Sequence, residues 1–165
     1  VVQLKFKIQE FPDKSMVKKT FHTGTVKKTI KINVAKDKVW RKISNIAGLP
    51  AWVVDVKKTV YLSKKKTDVG AIRLITFEDG NQIEEHVVAW KKGEYFTYIA
   101  TEGLPLRAYV ATISIKPKSK NLIELTWQSY LNSEKMSEKE FLDFMVFMAE
   151  FYEASLENLK TSLEK

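Results

Sequence analysis

The sequence predicts an α+β fold, a curved antiparallel sheet of about seven strands wrapped around one long C-terminal helix. Three observations carry this. Strand-like segments follow one another with little pause from Val53 to Leu131. The connections between them are too short for parallel crossovers, so neighbours must be antiparallel. The chain then ends in one amphipathic stretch, where Phe141, Phe144, Met145, Met148, Phe151, Tyr152, Ser155, Leu156 and Leu159 recur at helical spacing. A lone helix with so wide an apolar face needs a large surface to cover, and the sheet is the only candidate. A sheet curved over a helix leaves a space between them, and function is sought there.

The elements follow in order. Residues 1–24 are read as an N-terminal extension. In it Val2, Leu4, Phe6 and Ile8 alternate with polar neighbours over Val1 to Gln9, a candidate extra strand that Phe11-Pro12-Asp13 breaks. Residues 25–165 are read as a single domain. Its first strand places Val26, Ile30, Ile32 and Val34 on one face and Lys27, Thr29, Lys31 and Asn33 on the other. Ala35 to Ser44 is a helix with Val39, Trp40 and Ile43 as its apolar stripe. Asn45 to Leu49 is a second short helical turn, ended by Gly48 and Pro50. Six strands follow: Val53 to Leu62, Ala71 to Phe77, Gln82 to Trp90, Tyr95 to Thr101, Leu106 to Ile115 and Leu122 to Leu131. Gly70, Asp79-Gly80, Gly93, Gly103 with Pro105, and Pro117 separate them. Ser137 opens the last helix, and Glu140 three residues later makes a capping box.

Composition narrows the chemistry. A chain of 165 residues buries roughly 70% of its unfolded surface and supports its own core. It has no cysteine, which excludes a thiol nucleophile, a disulfide framework and a cysteine-ligated zinc, and which fits a reducing, cytoplasmic setting. No apolar run is long enough to span a membrane. Val1 to Lys7 is too short and too charged for a signal peptide. The chain opens on Val rather than Met, so an upstream segment is expected to have been removed or left out. Net charge is +8, yet Arg occurs only at Arg41, Arg73 and Arg107. Nucleic-acid sites favour Arg for bidentate contacts, and no aromatics interleave with the lysine runs, so nucleic acid is not the expected partner.

The lysines have a pattern of their own. In an antiparallel meander alternate turns lie at the same end. Lys64-Lys65-Lys66, Lys91-Lys92 and Lys116 to Lys120 therefore gather at one end, around Lys64, Lys91 and Lys118. Asp79-Gly80-Asn81 and Glu102 to Pro105 sit at the other. The basic end could dock on an acidic surface such as anionic lipid.

Few residues suggest catalysis. The two histidines, His22 and His86, have no ligand-spaced neighbours, so no metal site is expected. There is no nucleophile elbow and no phosphate-cradling glycine loop, and no cofactor is expected. The polar residues of interest lie inside strands. Arg73 alternates with Ala71, Ile75 and Phe77, and Glu85 with Ile83, Val87 and Ala89, so both charges are candidates for the interior. The hairpin between them has two registers. A three-residue loop with Gly80 left-handed puts Arg73 opposite Glu85; a two-residue Asp79-Gly80 turn puts it opposite His86 and moves Glu85 to the other face. An interior Arg73 requires a partner, because a buried unpaired charge costs several kcal/mol. Such a pair is as well read as structural as functional. Arg107 is read first as an exposed strand end, and second as a rim cation able to hold a carboxylate or phosphate. Trp52, Phe96, Tyr98, Tyr109 and Trp127 on the sheet and Phe144, Met148 and Phe151 on the helix are read first as core and second as a cavity lining.

The order strand, two short helices, six strands, long helix is that of the helix-grip fold, and the chain resembles the START/SRPBCC superfamily, nearest its polyketide cyclase/dehydrase-like branch. Val39-Trp40, Pro50-Ala51-Trp52, Gly70-Ala71-Ile72-Arg73, Asp79-Gly80, Glu85, Tyr98, Pro105, Tyr109, Trp127, Leu156 and Leu159-Lys160 carry the resemblance, from about Thr25 to Lys165. It implies the Arg73–Glu85 register and a cavity opening at the Asp79 end, away from the lysines. The expected function is binding or carriage of a hydrophobic small molecule or lipid, with Trp52, Arg73, Glu85, Tyr98, Tyr109, Trp127, Phe144 and Met148 as ligand-binding residues. Two alternatives stand beside it. One is a cyclase or dehydratase using Glu85 as acid or base, although an Arg73 partner should lower its pKa. The other is a co-chaperone-like interaction domain with a filled interior.

Overall fold

The computed structural model describes residues 20–165. The strand expected over Val1 to Gln9 lies outside the described residues. Seven strands form one sheet in the order β1-β7-β6-β5-β4-β3-β2, every neighbour antiparallel. In chain order they are β1 His22–Ile32, β2 Val56–Tyr61, β3 Ile72–Phe77, β4 Gln82–Lys91, β5 Tyr95–Glu102, β6 Ala108–Ser119 and β7 Leu122–Ser133. Helix α1 (Lys36–Ile43) and a 3-10 turn (Leu49–Ala51) carry the chain from β1 to β2, the two edges of the sheet. Helix α2 spans Glu138–Leu163.

Period-two alternation sets the inner face. Tyr109, Ala111, Ile113 and Ile115 of β6 are buried, as are Ile123, Leu125, Trp127 and Leu131 of β7. The long β6 and β7 ribbon continues past Pro117, where a strand end is expected. A β-bulge between Pro117 and Ser119 absorbs the proline, which has no N–H to give the ladder. The stretch before β2 differs as well. Pro50 starts the helical turn at Leu49–Ala51 rather than ending one, since its fixed φ suits a first turn. Asp55 then adopts φ 58, so β2 begins at Val56 and not at Val53.

Helix α2 is clamped at both ends. At its start Ser137 Oγ accepts from Glu140 N, and the Glu140 side chain accepts from Ser137 N. At its end Lys38 Nζ donates to the Leu163 carbonyl, a cation on the negative end of the helix dipole. Asn33 N and Nδ2 both donate to Glu164 Oε1. Midway, Ser155 Oγ accepts from Val54 N at 3.2 Å. The helix is seated unevenly. Tyr152, Ser155, Leu156, Leu159 and Leu163 of its second half are buried, whereas Phe144 and Met145 of its first half are half-buried. Val146 and Phe147 are 58% and 57% exposed. Phe141 and Met148 are nevertheless buried, and Phe141 stacks on His22 of β1 at 6.0 Å, so the first half stays seated on β1 while Phe144 and Phe147 are left partly open.

Two aromatic groups fill the interior. Trp40 of α1 meets Trp90 and Phe96 at ring-centroid distances of 5.1 and 6.4 Å, beneath α1. Trp127 stacks on Tyr152 at 4.1 Å with an 11° tilt, and Trp52 approaches Trp127 at 5.6 Å. Between these groups and Phe144, Phe147 and Met148 of α2 the core is open.

Candidate functional site

A cavity of about 880 Å³ lies between the sheet and α2. Its walls are mostly apolar: Ile75 and Phe77 of β3, Ile83 of β4, Ile113 of β6, and Phe144, Met148 and Phe151 of α2. The lining runs out to the exposed residues Asp55, Glu78, Asp79, Asn81 and Pro105, with Phe147 on the helix side. This end is its mouth. Two turns build it. In the β3–β4 turn Gly80 takes φ +87, Phe77 N donates to the Asn81 carbonyl, and the Asp79 carboxylate accepts from Asn81 N and Nδ2. In the β5–β6 loop Gly103 takes φ +93 and lies so close to β4 that a Cβ there would overlap the Gln82 carbonyl.

The three-residue loop selects the first of the two registers. Arg73 lies opposite Glu85, both inside, at 3% and 6% exposure. Arg73 Nε donates to Glu85 Oε2 at 2.8 Å, and Nη2 approaches the same oxygen at 2.6 Å. Arg73 Nη1 donates to the Ile46 carbonyl at 2.7 Å, from the chain just before the 3-10 turn. The guanidinium carbon lies 4.9 Å from the centre of the Tyr98 ring, within cation–π range. All the donated contacts converge on one carboxylate oxygen. Glu85 Oε1 has no hydrogen-bond partner and is not sealed off, so it faces the cavity that Glu85 lines. Burial raises the Glu85 carboxyl above its ordinary range, and the charge and hydrogen bonds of Arg73 offset only part of this. The expected lowering by Arg73 is thus present but is outweighed by desolvation.

A second polar group lies deeper. Trp127 Nε1 donates to the Tyr98 hydroxyl at 2.9 Å, and the Tyr109 and Tyr152 hydroxyls bond to each other. Burial pushes all three tyrosines far above their usual range, so they stay neutral. The Trp52 indole N–H is buried without a partner.

All eight residues expected to face the interior line this cavity. Trp52, Tyr98, Tyr109 and Trp127 form its floor, Arg73 and Glu85 one wall, and Phe144 and Met148 the roof. Tyr152 was visible in the sequence only as one more apolar-face residue. A buried tyrosine needs a hydroxyl partner, and Tyr109 was available on the facing strand. Phe77, Ile83 and Leu104, at strand ends and in a loop, also line the cavity, as does Phe147, which falls off the apolar stripe of α2. Phe96 belongs to the aromatic group under α1. Arg107 is exposed, stacked on the Phe21 ring at 4.5 Å and 4.0 Å from Glu134, and does not line the cavity. His86 bonds Glu84 on the outer face at 2.6 Å. Among the described residues no cluster of His, Cys, Asp and Glu could hold a metal. No helix there is long and apolar enough to cross a membrane.

The Arg73–Glu85 pair gives a stability test. Arg73→Met and Glu85→Leu should each cost about 3–5 kcal/mol, because each strands the other charge in the interior. The double variant should be more stable than either single one, with a coupling energy of about 2 kcal/mol or more. Urea denaturation of the four proteins measures it, and additive losses would show that the two charges are not coupled.

Comparison with known proteins agrees with this architecture. Residues 23–164 match the family described as polyketide cyclase / dehydrase and lipid transport. No curated protein matches. Among solved structures, an uncharacterised protein from Bacillus thuringiensis superposes with a TM-score of 0.74 at 19% identity, over 86% of this chain and 100% of that one. The protein XoxI from Bacillus cereus gives 0.73 at 20% identity, over 85% and 95%. A protein from Thermobifida fusca gives 0.70 at 14% identity, over 82% and 90%. At such identities these structures establish the helix-grip fold alone. The family match spans most of the chain, and the protein belongs to the polyketide cyclase / dehydrase and lipid transport family.

Proposed function

We propose that this protein binds or carries a hydrophobic small molecule or lipid in the space between the sheet and α2. The observation that carries this is the cavity of about 880 Å³, walled by apolar side chains around one buried charge pair. Binding pockets have this composition: apolar area supplies affinity, and a few placed polar groups supply orientation. Phe144, Phe147 and Met148 of α2 supply the roof, and Met148 lets it adapt to a ligand's shape. Trp52, Tyr98, Tyr109 and Trp127 below and Phe144 above would hold the apolar body, with Arg73 and Glu85 at the polar end. The interaction-domain reading needs a filled interior, and the cavity weighs against it.

One observation favours a second reading, a cyclase or dehydratase. Burial lifts the Glu85 carboxyl, which is what a general acid or base near neutral pH requires.

Away from the mouth the lysine-bearing turns gather at the closed end, as the meander order requires. Lys65, Lys91 and Lys118 pair with Asp68, Glu94 and Glu124. This end is proposed to meet an anionic lipid surface, at about 1 kcal/mol per lysine.

Each reading has its measurement. Native mass spectrometry of gently purified protein should show a stoichiometric adduct. An Ile83→Trp variant, which puts a larger side chain into the cavity wall, should lose it. Clean apo spectra after exposure to lipid extracts would contradict the binding reading. A Glu85→Gln variant with full turnover on an aromatic polyketide-like substrate would rule out the acid–base role. Changing Lys64, Lys65 and Lys66 to Glu should release the protein from anionic vesicles in a sedimentation assay; undiminished binding would remove the lipid-surface proposal.

A further inference from the structure

We infer that the cavity selects an uncharged ligand whose polar end is a hydrogen-bond donor, an alcohol or phenol, and rejects carboxylates and phosphates. This deepens the binding reading above and rests on it.

The polar groups inside the cavity are almost all committed to one another. Arg73 places Nε and Nη2 on Glu85 and Nη1 on the Ile46 carbonyl. The Tyr98 hydroxyl accepts from Trp127, and the Tyr109 and Tyr152 hydroxyls bond each other. Among the described residues the acceptor left open to the cavity is Glu85 Oε1, on a 6%-exposed residue; the Trp52 indole N–H is also unpaired but fully covered, and each Nη of Arg73 keeps one further N–H beside Glu85, from which a hydroxyl oxygen can accept. A ligand that brings a donor to Glu85 Oε1 completes the carboxylate. A ligand without a donor covers it with hydrocarbon and strips its last water, which is costly for a charged acceptor.

Charge decides between kinds of donor and acceptor. Asp55, Glu78 and Asp79 stand at the mouth and Glu85 lies within, against Arg73 as the one cation of the lining among the described residues. An anion thus crosses an acidic rim and meets a guanidinium already neutralised by Glu85. An ammonium passes the rim but arrives as an uncompensated charge, because Arg73 has balanced Glu85 already. A neutral hydroxyl avoids both penalties. It also keeps the full apolar burial of the rest of the molecule.

Four probes of equal chain length test this: 1-dodecanol, dodecyl methyl ether, dodecanoate and dodecylammonium. Trp52 and Trp127 line the cavity, so intrinsic tryptophan fluorescence reports occupancy. Dodecanol should bind about tenfold or more tightly than each of the other three, the size of one hydrogen bond to a charged acceptor. In Glu85→Gln the guanidinium loses its counter-charge, and dodecanoate should gain about tenfold or more relative to dodecanol. Should that variant fail to fold, as judged by circular dichroism, the ranking of the four probes on the wild-type protein decides alone. Dodecanoate or dodecylammonium binding as tightly as dodecanol overturns the inference, as does an ether equal to the alcohol; each leaves cavity binding standing. No saturable response to any of the four overturns the binding reading itself, and this inference with it.

Discussion

The interior is organised around one constraint: a guanidinium and a carboxylate lie on the inner face of adjacent strands, and neither can be buried without the other. Desolvating either ion alone costs several kcal/mol. The pair is therefore tied to a single strand register, because a slip of one residue would send Glu85 to the solvent face and leave Arg73 stranded. The β3–β4 turn enforces the same register independently, through the left-handed Gly80 and the Asp79 carboxylate that caps Asn81. Turn chemistry and buried charge agree, and that agreement places the polar wall of the cavity. Arg73 reaches further, to the Ile46 carbonyl, and so fastens the segment between the two small helices to the sheet.

Legibility in the sequence followed the range of the forces involved. Alternation along β6 and β7 and the capping box of α2 are local, and both appear where they were expected. The Arg73–Glu85 register was visible as one of two options, because a three-residue and a two-residue turn can both be built from Glu78-Asp79-Gly80. The stretch from Asn45 to Asp55 was misjudged. Pro50 was taken as a terminator although it also suits a first turn, and nothing in Asp55 announces a left-handed φ of 58. The hollow interior was the least legible feature. It depends on how α2 is seated across the sheet, and the contacts that seat it, at Ser155, Lys38 and Asn33, are remote in sequence from the residues they hold.

These fastenings divide the helix by function. Its second half carries Tyr152, Ser155, Leu156, Leu159 and Leu163 into the core and takes part in the same packing as Trp127. Its first half buries Phe141 beside His22 of β1 and places Phe144, Phe147 and Met148 along the cavity. One element thus anchors the fold and roofs the cavity.

The same division explains why the interior polar groups are so fully paired. A pocket that opens to water must not depend on water to satisfy its buried groups, or it would weaken each time it filled and emptied. Trp127, Tyr98, Tyr109 and Tyr152 meet this requirement by bonding among themselves, and their hydroxyls stay neutral because burial holds their pKa values far above the usual range. Arg73 meets it through Glu85 and Ile46. Two groups depart from this among the described residues: the Trp52 indole N–H, unpaired but fully covered in the floor, and Glu85 Oε1, which is not sealed off and faces the space. That open acceptor and the acidic rim of Asp55, Glu78 and Asp79 are the two features on which the proposed preference for a neutral hydroxyl rests.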